Sequence, residues 1–123
     1  MPEQDYLFTI EGEITPYVRM TQRGKFTSPR AHEYLASQDA IRFQIKEQMN
    51  NRNLPMLPRS KPLGASIVFW TARGHTFDLD NAVKAVVDAA QGIVFKNDLW
   101  FDWLHAERRA SKDERCQLWI TPV

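Results

Sequence analysis

The chain has 123 residues and a formal net charge of +1, enough for a single domain over 1–123 with a hydrophobic core and too few for two. No apolar run approaches the roughly 20 residues that span a bilayer, and the start Met-Pro-Glu-Gln-Asp lacks the basic and apolar segments of a signal peptide. A cytoplasmic protein with no membrane partner is therefore expected, and the single Cys116 excludes an internal disulfide or a cysteine metal cluster.

In chain order, Tyr6, Phe8, Ile10 and Ile14 alternate with Thr9, Glu11 and Glu13, which predicts a half-buried first strand. Residues 15–27 carry Pro16, Gly24 and three bases without a sustained period. That predicts a loop whose Arg19, Arg23 and Lys25, interleaved with Tyr17 and Phe26, suit a backbone-gripping arm as well as an ordinary surface loop. Ser28-Pro29 reads as a cap followed by proline at the first helical position. The helix that follows carries Tyr34, Ile41, Ile45 and Met49 on one stripe, with Arg42, Lys46 and Gln48 off it, and ends near Asn50-Asn51.

Pro55, Pro58 and Pro62 mark a linker, and the run from Ala65 to Trp70 reads as a strand covered on both faces. A second helix is predicted from about Asp80 to Gln91, with Val83, Val86, Val87 and Ala90 apolar and Gly92 suited to the left-handed position after it. Ile93–Phe95 reads as a brief extended piece. Leu99, Phe101, Trp103 and His105 alternate with Trp100, Asp102, Leu104 and Ala106 as a further strand. A turn at Ser111–Glu114 then leads to a last strand, Cys116, Leu118 and Ile120 inward and Gln117, Trp119 and Thr121 outward, closing a hairpin. Cys116 is expected as a small buried hydrophobe. The order β-α-β-α-β-β predicts an α+β fold, a mixed sheet with two main helices packed on it.

The near-zero net charge conceals an uneven distribution. Up to Thr15 there are acids and no lysine or arginine. From Pro16 to Lys61 the bases Arg19, Arg23, Lys25, Arg30, Arg42, Lys46, Arg52, Arg59 and Lys61 face only Glu33, Asp39 and Glu47. Such a segment fits contact with a phosphate backbone, and it equally fits a solvated basic surface.

The chemistry concentrates between Phe77 and Asp98. Asp78 and Asp80 lie at the start of the second helix, Lys84 and Asp88 follow Asp80 at steps of four, and Asp98 comes after the glycine break. Capping accounts for one aspartate and an i,i+4 pair for Lys84. Convergence of Asp78, Asp80 and Asp98 would instead meet the oxygen-ligand demands of Mg²⁺, with Mn²⁺ as a substitute. In that reading the metal activates water and offsets transition-state charge, Lys84 faces the scissile phosphate, and Asn81 fixes a carboxylate through a supporting hydrogen bond. No P-loop, Rossmann glycine pattern or HExxH motif is present.

Asp78-Leu-Asp80-Asn81-x-x-Lys84-x-x-x-Asp88-x-x-x-Gly92 followed by Asn97-Asp98 resembles the signature of the RusA family of Holliday junction resolvases. The resemblance covers the second half of the chain well and the first half in plan. It implies a homodimeric, Mg²⁺-dependent endonuclease making paired cuts in four-way DNA junctions during recombination and repair. Asp78, Asp80 and Asp98 match the catalytic metal-binding aspartates and Lys84 the catalytic lysine, while Asp88 matches a position in a supporting role. Some relatives carry an acidic pair where this chain has Asn97-Asp98, so only Asp98 is carried over. Some place arginines directly before the first aspartate, where this chain has His75-Thr76-Phe77 and Arg73 nearby. DNA contacts are expected from Arg19, Arg23, Lys25, Arg30 and Arg73. Two alternatives are a branched-DNA-binding module without catalysis and a metal enzyme acting on small phosphoesters.

Overall fold

The computed structural model describes residues 6–15, 29–58, 62–72 and 78–122. The opening alternation forms β1 (Leu7–Glu11), with Phe8 and Ile10 fully buried. Next comes α1 (Pro29–Asn51), which buries Ala31, Tyr34, Ile41, Ile45 and Met49, the predicted stripe extended by one residue. Its expected cap, Ser28, lies outside the described residues. The apolar run after the prolines is β2 (Leu63–Thr71), then α2 (Leu79–Ala90), a single 3₁₀ turn (Asp98–Trp100), β3 (Phe101–Ala110) and β4 (Arg115–Pro122). The expected α+β order β-α-β-α-β-β is the one observed.

The strands lie side by side as β1-β4-β2-β3. β4 is antiparallel to both β1 and β2, while β2 and β3 run parallel, joined by α2 as a parallel pair requires. This corrects the expected hairpin. β3 and β4 follow one another in sequence across Ser111–Glu114, yet β2 lies between them. The turn is fastened to the end of the strand it crosses: the Ser111 N–H donates to the Thr71 carbonyl (2.8 Å) and the Ala72 N–H to Glu114 Oε1 (2.8 Å).

One face of the sheet carries Phe8, Ile10, Leu63, Ala65, Ile67, Phe69, Cys116, Leu118 and Ile120, all buried against the helices. Burial pushes the Cys116 thiol up to about 12, consistent with a buried apolar role. In-register partners share a face, so the pairings place Leu7, Trp119, Ser66 and His105 in one row of the opposite face, and Glu11, Arg115, Trp70 and Arg109 in another. Neither α1 nor α2 packs on that side.

β1 is an edge strand, and unpaired edges invite misassociation. Here α1 covers it. Gln48 Oε1 accepts from the Thr9 N–H (3.1 Å) and its Nε2 donates to the Thr9 carbonyl (2.8 Å), and Gln44 makes the same pair with Glu11 (2.8 and 3.1 Å). Arg52 reaches the Leu7 carbonyl at 3.0 Å. Gln44 and Gln48 of α1, with Arg52 just past its end, thus stand in for a neighbouring strand.

Two further expectations are corrected near the site. Gly92–Val94 is a turn, not an extended piece, with Gly92 at φ +88° and its N–H donating to the Phe95 carbonyl (2.6 Å). The alternation of β3 breaks between Phe101, opposite Leu63, and Trp103, opposite Gly64. Asp102 is the extra residue of a bulge, so Phe101 and Trp103 face opposite sides of the sheet. Phe101 meets Phe95 edge-on, with centroids 4.8 Å apart.

Candidate active site

The second helix begins where a carboxylate can satisfy its unpaired N–H groups. Asp78 is the N-cap, in extended conformation, and its Oδ1 accepts from the Asp80 N–H at 3.1 Å. The Asn81 amide reaches Asp78 Oδ2 at 3.5 Å. The helix stops at Gln91, whose N–H still reaches the Val87 carbonyl (3.0 Å), because Gly92 takes a positive φ.

Ala82, Ala85, Val86, Val87, Ala89 and Ala90 turn inward, which leaves Asp80, Lys84 and Asp88 on one exposed line at steps of four. Lys84 Nζ lies 3.3 Å from Asp88 Oδ2, a partly exposed i,i+4 pair that is worth about 0.5 kcal/mol. The chain returns through the Gly92 turn so that Asp98, first residue of the 3₁₀ turn, faces this line. Asp80, Lys84, Asp88 and Asp98 line one pocket of about 270 Å³, whose apolar wall is Val83, Val87, Phe101 and Leu104. Among the described residues, a larger hollow of about 640 Å³ is lined by Ala72, Ala110, Ser111 and Lys112, none of them a carboxylate.

The structure thus brings Asp80, Lys84, Asp88 and Asp98 together and leaves Asp78 on the helix N-terminus, outside the pocket lining. Among the described residues, no three His, Cys, Asp or Glu side chains are grouped closely enough to hold a metal ion. The donor set still suits a hard cation that keeps part of its water shell: Mg²⁺ is commonly held by one or two carboxylates, and Asp80 and Asp98 offer two from separate elements of one pocket. Of the expected DNA contacts, Arg30 is exposed on the first turn of α1. Arg19, Arg23, Lys25 and Arg73 lie outside the described residues.

Some contributors escaped the reading of the sequence. Arg42 Nη1 donates to the carbonyls of Ala89 (3.0 Å) and Gln91 (3.1 Å), and Gln38 Nε2 to that of Ala85 (2.6 Å). They tie α1 to the C-terminal half of α2. A guanidinium on the terminal carbonyls of a helix also opposes its negative dipole end. Gln91 Oε1 accepts from the Asp98 N–H at 3.1 Å. Nothing in the local pattern singles out these residues; Arg42 is one more base in a basic stretch.

The endodeoxyribonuclease RusA family model matches residues 11–121. The chain belongs to the RusA family. That family is one of endodeoxyribonucleases, and the match runs from the end of β1 into β4, so it takes in the pocket, α1 and α2 of this RusA-family chain. No curated protein matches it.

Proposed function

We propose that this RusA-family chain is a Mg²⁺-dependent, structure-selective endonuclease that resolves Holliday junctions by paired phosphodiester hydrolysis as a homodimer, in DNA recombination and repair in the cytoplasm. The observation that carries the reading is the shared pocket, in which carboxylates from α2 and from the 3₁₀ turn meet beside a lysine. Asp80 and Asp98 are the residues that hold the cation, with Asp78 joining them by giving up its cap or by using its second oxygen. When bound, the cation would polarise the attacking water and offset charge on the phosphate. Lys84 holds the scissile phosphate and opposes charge developing on its oxygens, and Asp88 keeps the ammonium aimed along the pocket. Arg19, Arg23, Lys25, Arg30 and Arg73 hold the strands leading to the site, where each phosphate neutralised adds salt-dependent affinity.

Two cuts need two sites, and a twofold dimer supplies them. Self-association is supported by the face of the sheet opposite α1 and α2. It carries Trp70, Trp103 and Trp119, three of the four tryptophans, with Trp103 44% and Trp119 43% exposed. Its Glu11 and Glu107 balance Arg109 and Arg115, which suits a second copy of the same face better than a polyanion.

The test is a labelled four-way junction and a linear duplex incubated with the protein, with and without Mg²⁺. Symmetric nicks in the junction are expected, absent in Asp80→Asn, which still binds the junction. Cleavage by that variant would remove the metal assignment. A wild-type shift without cuts would support a branched-DNA-binding module, and turnover of a nucleotide without junction cleavage a small-phosphoester enzyme.

A further inference from the structure

Asp98 sits at the start of a 3₁₀ turn, where a backbone N–H has no partner of its own in the turn. Its neighbours in sequence do not fill that role. The acceptor comes from the C-cap of the preceding helix, Gln91, at 3.1 Å. Gln91 is itself held by its backbone: its N–H is bonded to the Val87 carbonyl (3.0 Å) and its carbonyl to Arg42 of α1 (3.1 Å). The intervening turn is closed by the Gly92–Phe95 bond and by the bridge between Gln91 and Phe95. Both ends of the link are therefore fixed, one by the helix and one by the 3₁₀ turn.

We infer that Gln91 is a positioning residue for the cation site, setting the height at which Asp98 faces Asp80 across the pocket. The inference rests on the proposal that Asp98 is a cation ligand. Asp80 belongs to α2 itself and Asp98 is tied to its C-cap, so both carboxylates take their positions from one helix. Arg42, bound to the Ala89 and Gln91 carbonyls, anchors that arrangement to α1. Groups that orient a metal ligand through a hydrogen bond affect metal affinity by about 10- to 100-fold when removed. A bond to the backbone of the ligand, not its carboxylate, belongs at the lower end of that range.

The experiment is calorimetric titration of the full chain with MnCl₂ in the absence of DNA, beside thermal unfolding. Gln91→Met and Gln91→Ala remove the acceptor, Gln91→Glu keeps it, and Asp98→Asn is the control. The acceptor-free variants should bind Mn²⁺ about tenfold more weakly, Gln91→Glu no more weakly than wild type, and Asp98→Asn more weakly than all of them. Wild-type affinity in whichever acceptor-free variant folds, or equal loss in Gln91→Glu, would overturn the inference while leaving Asp98 as a ligand. Wild-type affinity in Asp98→Asn would instead overturn the cation reading of Asp98, and this inference with it.

Discussion

Asp78 has two roles assigned to it, and they can be separated by substitution. Its Oδ1 caps α2 through the Asp80 N–H (3.1 Å), and its carboxylate is proposed as a cation ligand. Replacing a capping residue by alanine costs about 1 kcal/mol. Removing a negative charge from an exposed helix N-terminus adds about 0.5 kcal/mol, so Asp78→Ala should lose about 1.5 kcal/mol. Asp78→Ser keeps a capping oxygen and should lose only the charge contribution, about 0.5 kcal/mol. A chain of this length has an unfolding entropy near 0.26 kcal/mol/K, so the expected Tm falls are about 6 °C and about 2 °C. Circular dichroism melts measure those, and junction cleavage in Mg²⁺ measures the second role, which both variants should lose alike. Equal melting of Asp78→Ala and wild type would refute the cap argument. Cleavage by Asp78→Ser at the wild-type rate would refute the ligand assignment and leave Asp78 as a cap alone.

Other perturbations probe the frame around the pocket. Arg42→Met should cost about 1.5–3 kcal/mol, since it removes charge-assisted bonds to two helix-end carbonyls, seen as a lower urea midpoint with an unchanged m-value. A Cβ on Gly64 would overlap the Trp103 indole, so Gly64→Ala should push the half-exposed ring into solvent. Lost contact of about 100 Å², less the alanine's gain over glycine, leaves a destabilisation of about 1.5 kcal/mol with a red-shifted tryptophan emission; an unshifted spectrum would contradict it. Cys116 should resist Ellman's reagent until the chain unfolds. Because its folded pKa is raised to about 12, the unfolded thiol ionises first, so its contribution to stability is level below about pH 8.5 and falls as pH rises beyond that. A denaturation series from pH 8 to 10, compared with Cys116→Ala, isolates that slope.

What could be read from the sequence was what depends on near neighbours. The α1 stripe of Tyr34, Ile41, Ile45 and Met49, the alternation of β4, the Gly92 stop and the Asp80-Lys84-Asp88 line all follow from helix or strand periodicity. The placement of β2 between β3 and β4 does not, because short turns ordinarily join adjacent strands and only non-local pairing decides otherwise. Gln44, Gln48 and Arg52 look like a solvated helix face until β1 is laid beside them. The Asp102 bulge reverses the expected face of Trp103 by one unpaired residue. Within the pocket, Asp80, Lys84 and Asp98 were marked by residue type and spacing. Gln91 and Arg42 act through backbone groups of distant residues, and no spacing rule points to such bonds.

The place of β4 in the sheet bears on how the chain acquires its shape. It comes after β1, β2 and β3 in the chain, yet it joins β1 to β2. Until it arrives, β1 has no strand partner, and β2 has only β3 beside it. The core between sheet and helices therefore stays open until synthesis has passed Ile120. A chain stopped before Ile120 should fail to fold, since it lacks the strand that joins β1 to β2.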